Sequence, residues 1–189
     1  WECLPYDVVS PQAEVISNRL RILAQAPHLG RGILLSTVPA LMQRLPPPEY
    51  ISAHSFFLKS GQTVDPEQLR KRLHEAGYLA VPQVFSQGEY AIRGGVIDIY
   101  PMGSKDPFRL DLFGNQLENI RLFDPHSQRS SEIRNVIELL PGREYPTDKD
   151  AINQFRANFR RNFEGDPQKH LVYREISKGK TPAALDYFW

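Results

Sequence analysis

Residues 84 to 124 read VFSQGEYAIRGGVIDIYPMGSKDPFRLDLFGNQLENIRLFD, and the spacing of their apolar side chains decides the fold. Tyr90, Ile92, Val96, Ile97, Ile99, Leu110, Leu112, Ile120, Leu122 and Phe123 recur at about a two-residue period. Successive side chains of a strand point to opposite faces, so this period belongs to strands that lay one face on a core. Gly94-Gly95, Met102-Gly103-Ser104 and Gly114-Asn115 interrupt it with turn chemistry. The stretch predicts a meander of short antiparallel strands. Arg93 and Arg109 fall at strand ends beside these turns, which makes them candidates for a contact surface.

Toward the N-terminus, Ser10-Pro11 is a helix-start pair, and Val15, Ile16, Leu20, Leu23 and Ala24 follow at helical spacing, predicting a helix over about 11 to 25. GILLSTV at 32–38 is apolar without alternation, the pattern of a strand buried on both faces of a parallel sheet. Thr37 and Pro39 then open a short helix, PALMQRL, and Pro46-Pro47-Pro48 starts a linker that runs to Ser55. Phe56-Phe57-Leu58-Lys59 reads as a strand. Asp65-Pro66 caps a helix with Leu69 and Leu73 on one face and Gly77 at its end.

Beyond the meander, FDPHSQRS is a turn and IRNVIELLP at 133–141 reads as one further strand. Thr147, Asp148 and Asp150 mark a helix start. Ile152, Phe155, Phe159 and Phe163 form its apolar face, with Arg156, Arg160 and Arg161 on the opposite side. A last helix begins at Asp166-Pro167 with Leu171 and Ile176 inward, before an aromatic tail.

The 189 residues are 41% hydrophobic and 24% charged, enough for one full core or two small domains. A net charge of +1 excludes a binder of nucleic acid that works through a domain-wide basic field. The single cysteine, Cys3, excludes an internal disulfide framework, fits a reducing compartment and reads as a small apolar residue. The chain starts at Trp1 and shows no signal peptide or transmembrane run, so it is expected to be a piece of a longer cytoplasmic protein.

Catalytic chemistry is not expected, and neither is a cofactor. GKT at 179–181 lacks the first glycine of a phosphate-cradling loop and precedes Pro182. His28, His54, His74, His126 and His170 are not at metal-ligand spacing. Asp98 and Asp111 are carboxylates inside strands, either catalytic acids or partners of arginines, and the second reading is preferred because no nucleophile or metal ligand stands near them.

Two patterns point to binding. Arg93 precedes two glycines that admit another backbone, while alternation puts Arg109, Asp111 and Phe113 on one face, the charge-and-aromatic makeup of an interface hot spot. The competing reading on spacing alone, somewhat less favoured, is an arginine pair that only neutralises Asp98 or Asp111. The second pattern is Arg156 and Arg160 among phenylalanines, with Arg161 beside them, as a nucleic-acid contact. Against it, phenylalanines at that spacing are core and the arginines a solvated face.

GEYAIRGGVIDIYPMGSKDPFRLDLFGNQLENIRLFDPHSQRS, with LPYDVVSP, LMQRL, LLPGREYPTDKDAI and SKGKTPAALDYFW in order, resembles the N-terminal UvrB-like module of the transcription-repair coupling factor family over nearly the whole chain. The resemblance implies an α/β fold with an α+β insert: an antiparallel sheet plus a helix, similar to UvrB domain 2, placed within part of a degenerate RecA-like domain. Residues 1–54 would belong to the first part, 55–140 to a UvrA-binding insert and 141–189 to a return segment. It further implies a non-catalytic role, with Arg93, Arg109 and Phe113 contacting UvrA to recruit excision repair to RNA polymerase stalled at damage. The parent protein would be an ATP-dependent translocase that meets RNA polymerase and double-stranded DNA and no membrane.

Two departures separate the chain from UvrB itself. The phosphate loop of UvrB would fall before Trp1, and SPQAEVISNRL runs into a helix where UvrB inserts a long aromatic β-hairpin that clamps DNA. The competing expectation is a DNA-binding remnant of the helicase ancestor, using Arg156, Arg160 and Arg161.

Overall fold

Alternation and turn chemistry translate directly into hydrogen-bonded strands in the computed structural model, which describes residues 10–182. Cys3, most of the LPYDVVSP motif and the aromatic tail lie outside the described residues. In chain order the elements are α1 (Ala13–Gln25), the single turn α2 (Val38–Leu41), α3 (Pro48–His54), β1 (Phe56–Lys59), α4 (Pro66–Glu75), β2 (Leu79–Ala80) and β3 (Glu89–Arg93). They continue with β4 (Val96–Tyr100), β5 (Phe108–Phe113), β6 (Gln116–Phe123), β7 (Ser130–Arg134), β8 (Val136–Leu139), α5 (Lys149–Asn162) and α6 (Leu171–Ser177).

By contact the chain divides into residues 13–144 and a second unit made of 1–12 with 145–189. In the first unit β2 to β7 form one sheet in sequential order, antiparallel except for the β2–β3 pair, and β1 pairs β8 in a separate two-stranded sheet. This is an α/β arrangement of mixed and antiparallel sheets with helices. Tyr90, Ile97, Ile99, Leu110 and Ile120 put one face of the large sheet into a core. That core also takes Leu69 and Leu73 from α4, Phe56 and Leu58 from β1, Ile137 and Leu139 from β8, and Leu20 from α1. Asp65 caps α4 by accepting the Glu67 N–H at 2.9 Å, and Pro66 occupies a first-turn position where no donor is lost.

One irregularity adjusts the sheet to its sequence. Leu117 and Ile120 are both fully buried, although three residues apart they would fall on opposite faces of a regular strand. Between Asp111 and Leu112 the β5–β6 register shifts from Asn119 to Leu117, so Glu118 is an extra residue and both apolar side chains reach the core. Beyond the bulge, Asn119, Arg121 and Phe123 follow on the other face.

The second unit packs α5 against α6. Phe155, Phe159, Tyr173 and Ile176 are its buried cluster, and Asp148 caps α5 with 2.9 Å bonds from the Asp150 and Ala151 N–H groups.

Four sequence expectations are corrected. Residues 32–37 form no strand: Ile33 and Leu35 are about nine-tenths exposed, because a strand buried on both faces needs neighbouring strands and none pairs with it among the described residues. The segment expected as a linker contains α3, since Pro48 sits at the start of a helix, where proline is tolerated. IRNVIELLP is two strands in two different sheets, divided at Asn135. Leu171, expected inward, is exposed, and Tyr173 takes the core position of α6.

Tyr78 ties the sheet unit together. Its buried hydroxyl donates to the Leu140 carbonyl at 2.8 Å and accepts from the Met102 N–H at 3.1 Å. Burial pushes its pKa well above the ordinary tyrosine value, against the smaller effect of the Met102 bond. Beside it, Gly142 donates to the Ala76 carbonyl at 2.6 Å, so close that an added Cβ would lie 2.6 Å from the Gly77 carbonyl carbon.

Tyr78→Phe leaves a buried carbonyl and N–H unpaired and is expected to lower unfolding stability by about 1–3 kcal/mol at neutral pH, read from denaturant titration. The folded state keeps the Tyr78 proton that the unfolded chain releases above about pH 10, so this hydroxyl's contribution falls as pH rises further. The variant should show a shallower alkaline loss than the wild type. Gly142→Ala meets rigid backbone and is expected to cost about 1–3 kcal/mol, seen as a lower melting temperature.

Candidate partner-binding face

The face of the large sheet turned away from the core is half apolar and half ionic. Val84, Ala91 and Phe123 form a small buried cluster there with Val81 and Tyr100 packed on it. A cross-strand row then runs Ala91, Asp98, Arg109, Arg121 and Ile133 over five strands, and the next row holds Arg93, Val96, Asp111 and Asn119. These two rows bring together five charged side chains, three arginines and two aspartates.

Asp98 is its centre. It is 1% exposed, so its charge must be met by partners inside the protein. Arg109 supplies a two-point bond, Nε to Oδ1 at 2.7 Å and Nη2 to Oδ2 at 2.9 Å, and Arg93 donates from Nη2 to the same Oδ2. Both carboxylate oxygens are thereby engaged by guanidinium groups, which makes Asp98 an ion-pair partner of both arginines. The bond to Asp98 raises the Arg109 pKa further above the arginine range, burial opposing it.

Arg109 and Arg93 differ in what remains. Arg109 is 17% exposed and spends its other donors on the turn after β6: Nη1 on the Gln128 carbonyl and Nη2 on Gln128 Oε1, both at 3.0 Å. Gln128 is the only described non-glycine residue with positive φ, 60°, and Asp124 holds this turn by accepting the His126 and Ser127 N–H groups. Arg109 also lies 4.9 Å over the Phe123 ring. Arg93 is half-exposed, and Nη2 is its one hydrogen-bonding donor among the described residues.

Phe113 is 78% exposed at the end of β5, on the same side as Arg109 and Asp111 because the extra residue of the bulge belongs to β6. The Gly94-Gly95 turn lies at this end of the sheet, where Gly95 accepts the Leu112 N–H at 2.7 Å. A Cβ on Gly95 would stand 2.7 Å from the Leu112 carbonyl oxygen, so a side chain is excluded there. The three residues singled out from the sequence therefore share one face: Arg93 and Phe113 accessible, and Arg109 largely covered in the row behind them.

Sequence reading missed Arg121, which is 38% exposed and bonds Asp111 Oδ2 with Nε at 2.9 Å and with Nη2. Strict alternation counted through the bulge assigns β6 to the wrong faces, and only the Asn119, Arg121, Phe123 triplet carried the signal. The alternative arginines are occupied in their own unit: Arg156 Nε lies 3.4 Å from the Tyr173 hydroxyl, Arg160 is 5.7 Å from the Tyr173 ring centre, and Arg161 bonds Asn158. Among the described residues no cluster of His, Cys, Asp and Glu is arranged for a metal ion, and no helix is long and apolar enough to cross a membrane.

Residues 56–145, which hold the large sheet, α4 and the charged face, match the UvrB interaction domain family. Over the full chain the sequence is 44% identical to the transcription-repair-coupling factor of Escherichia coli and 43% identical to that of Haemophilus influenzae. Over 95% of the chain it is 31% identical to the same factor of Bacillus subtilis. In each case the chain spans 16% of the relative's length. The chain thus belongs to the transcription-repair coupling factor family, of which it is a segment carrying a UvrB interaction domain.

Proposed function

We propose that this segment is a non-catalytic recruitment module that binds the excision-repair protein UvrA and brings it, in the cytoplasm, to RNA polymerase stalled at DNA damage. One observation carries the reading: the ionic face of the sheet leaves Arg93 half-exposed and Phe113 exposed at the same end of that face, on the domain that matches the UvrB interaction family. An exposed aromatic that shares a face with an arginine with spare donors supplies an anchor and a charge-assisted contact for an acidic and apolar patch.

The three residues divide the work. Arg109 keeps Asp98 paired at two points, so Arg93 can exchange the Asp98 carboxylate for one on UvrA without leaving a buried charge unmet. Phe113 anchors the contact. Arg109 holds the Asp98 carboxylate on which Arg93 rests and adds positive potential. The flanking elements are read as parts of a degenerate RecA-like domain, supported by the exposed Ile33, Leu34 and Leu35, which further strands of such a domain would cover. DNA and polymerase contacts are assigned to the rest of the parent protein.

Arg93→Ala and Phe113→Ala are each expected to weaken UvrA binding by roughly 1–2 kcal/mol, about five- to thirtyfold in Kd, with melting temperature held. Undiminished affinity in the folded double variant would remove this surface from consideration. Arg109→Ala should instead destabilise the fold by about 3–5 kcal/mol, because it strips a buried carboxylate of its principal partner. Salt should slow UvrA association more than it speeds dissociation. A titration of fluorescent duplex DNA separates the competing reading: steep loss of DNA affinity with salt, abolished by changing Arg156, Arg160 and Arg161, would favour the helicase remnant.

A further inference from the structure

We propose that Arg121 is a second electrostatic contact of the UvrA-binding face, taking a second carboxylate of the partner about 14 Å across the strands from the one taken by Arg93. This inference rests on the recruitment reading above and adds a residue and a spacing to it.

Three observations place Arg121 there. It stands directly opposite Arg109 in the β5–β6 pairing, on the same face as Arg93 and Phe113. Two like charges opposed in a sheet are unfavourable, and here each is met by its own carboxylate, Arg109 by Asp98 on β4 and Arg121 by Asp111 one row along β5. Second, the three arginines fall into two kinds. Arg109 uses Nε, Nη1 and Nη2 in bonds to Asp98 and Gln128, whereas both bonding donors of Arg121 converge on the single oxygen Asp111 Oδ2, and its Nη1 has no hydrogen bond among the described residues. Arg93 shows the same economy with its single bonding donor. Third, Arg121 and Asp111 are both partly exposed, and a pair open to water contributes little to holding a sheet together.

The covered Asp98–Arg109 pair is thus flanked by two half-open arginines, each lightly held by an aspartate of its own chain. β3 and β6 lie three strand spacings apart, which sets the separation of the two carboxylates this face would recognise. A partner with only one acidic group in reach would engage half of it.

The experiment titrates purified UvrA against the 189-residue chain carrying Arg121→Ala, Asp111→Ala, or both, beside wild type and Arg93→Ala, with a thermal melt for each. Arg121→Ala is expected to raise Kd about tenfold, Asp111→Ala to leave it unchanged or lower it, and the double variant to stay as weak as Arg121→Ala. If the double variant recovers wild-type affinity, Arg121 serves only to neutralise Asp111 and the inference is wrong. It is equally wrong if Arg121→Ala binds within twofold of wild type while Arg93→Ala is weakened, an outcome that leaves the recruitment reading standing. Wild-type chain that fails to bind UvrA at all would overturn the recruitment reading and this one with it. Arg121→Gln, closer in size, replaces alanine in the same comparison if the melt shows unfolding.

Discussion

A carboxylate shut away from water inside a sheet sets the conditions for the rest of this segment. Asp98 is covered to 1% exposure at the middle of β4, where an unpaired charge would cost several kcal/mol. The two-point bond from Arg109 requires β4 and β5 to keep one register, and the bond from Arg93 requires the same of β3 and β4 across the Gly94-Gly95 turn. Arg109 then reaches the Gln128 carbonyl and side chain, so the turn after β6 is held by the same group. A hydrophobic residue in place of Asp98 would fill the space with less desolvation, but it would orient no arginine. The charge is therefore better explained by the surface it organises than by stability.

The core on the opposite side is assembled so that this surface survives. The extra residue at Glu118 lets Leu117 and Ile120 both enter the core while Arg121 and Phe123 stay on the ionic side. Phe123 supports Arg109 from below by stacking, and Leu110 and Ile97, neighbours of Arg109 and Asp98 in sequence, lock the same strands from the core side. Packing on one face and ion pairing on the other thus specify the same register, and a one-residue slip would break both at once.

Much of this was legible in the sequence because it is local. Period-two alternation placed the strands of the meander, Gly94-Gly95, Met102-Gly103-Ser104 and Gly114-Asn115 placed its turns, and Asp65-Pro66 and Asp148 announced helix starts that the bonds to Glu67, Asp150 and Ala151 realise. What was not legible depends on partners distant in the chain. Ile33, Leu34 and Leu35 read as a buried strand because their composition fits one, yet a strand exists only where neighbours hydrogen-bond it. Asn135 separates two strands whose partners are β6 and β1, a division no local pattern records. Arg121 was hidden by the bulge, and alternation put Arg109 on the right face without revealing that Asp98 and Gln128 would absorb its donors.

That absorption bears on how the face works. An arginine already held by an aspartate of its own chain has lost most of its rotamer freedom before a partner arrives, so binding does not have to order it. The same aspartate must be displaced or shared, which makes the net gain per contact small. On the proposed reading, recognition depends on geometry: the partner must offer carboxylates at the spacing of the half-open arginines together with a pocket for Phe113. A partner carrying acidic charge in the wrong arrangement would gain no more than the aspartates already supply, so a face that works as proposed would discriminate by exchange and not by bulk charge, in keeping with a chain whose net charge is only +1.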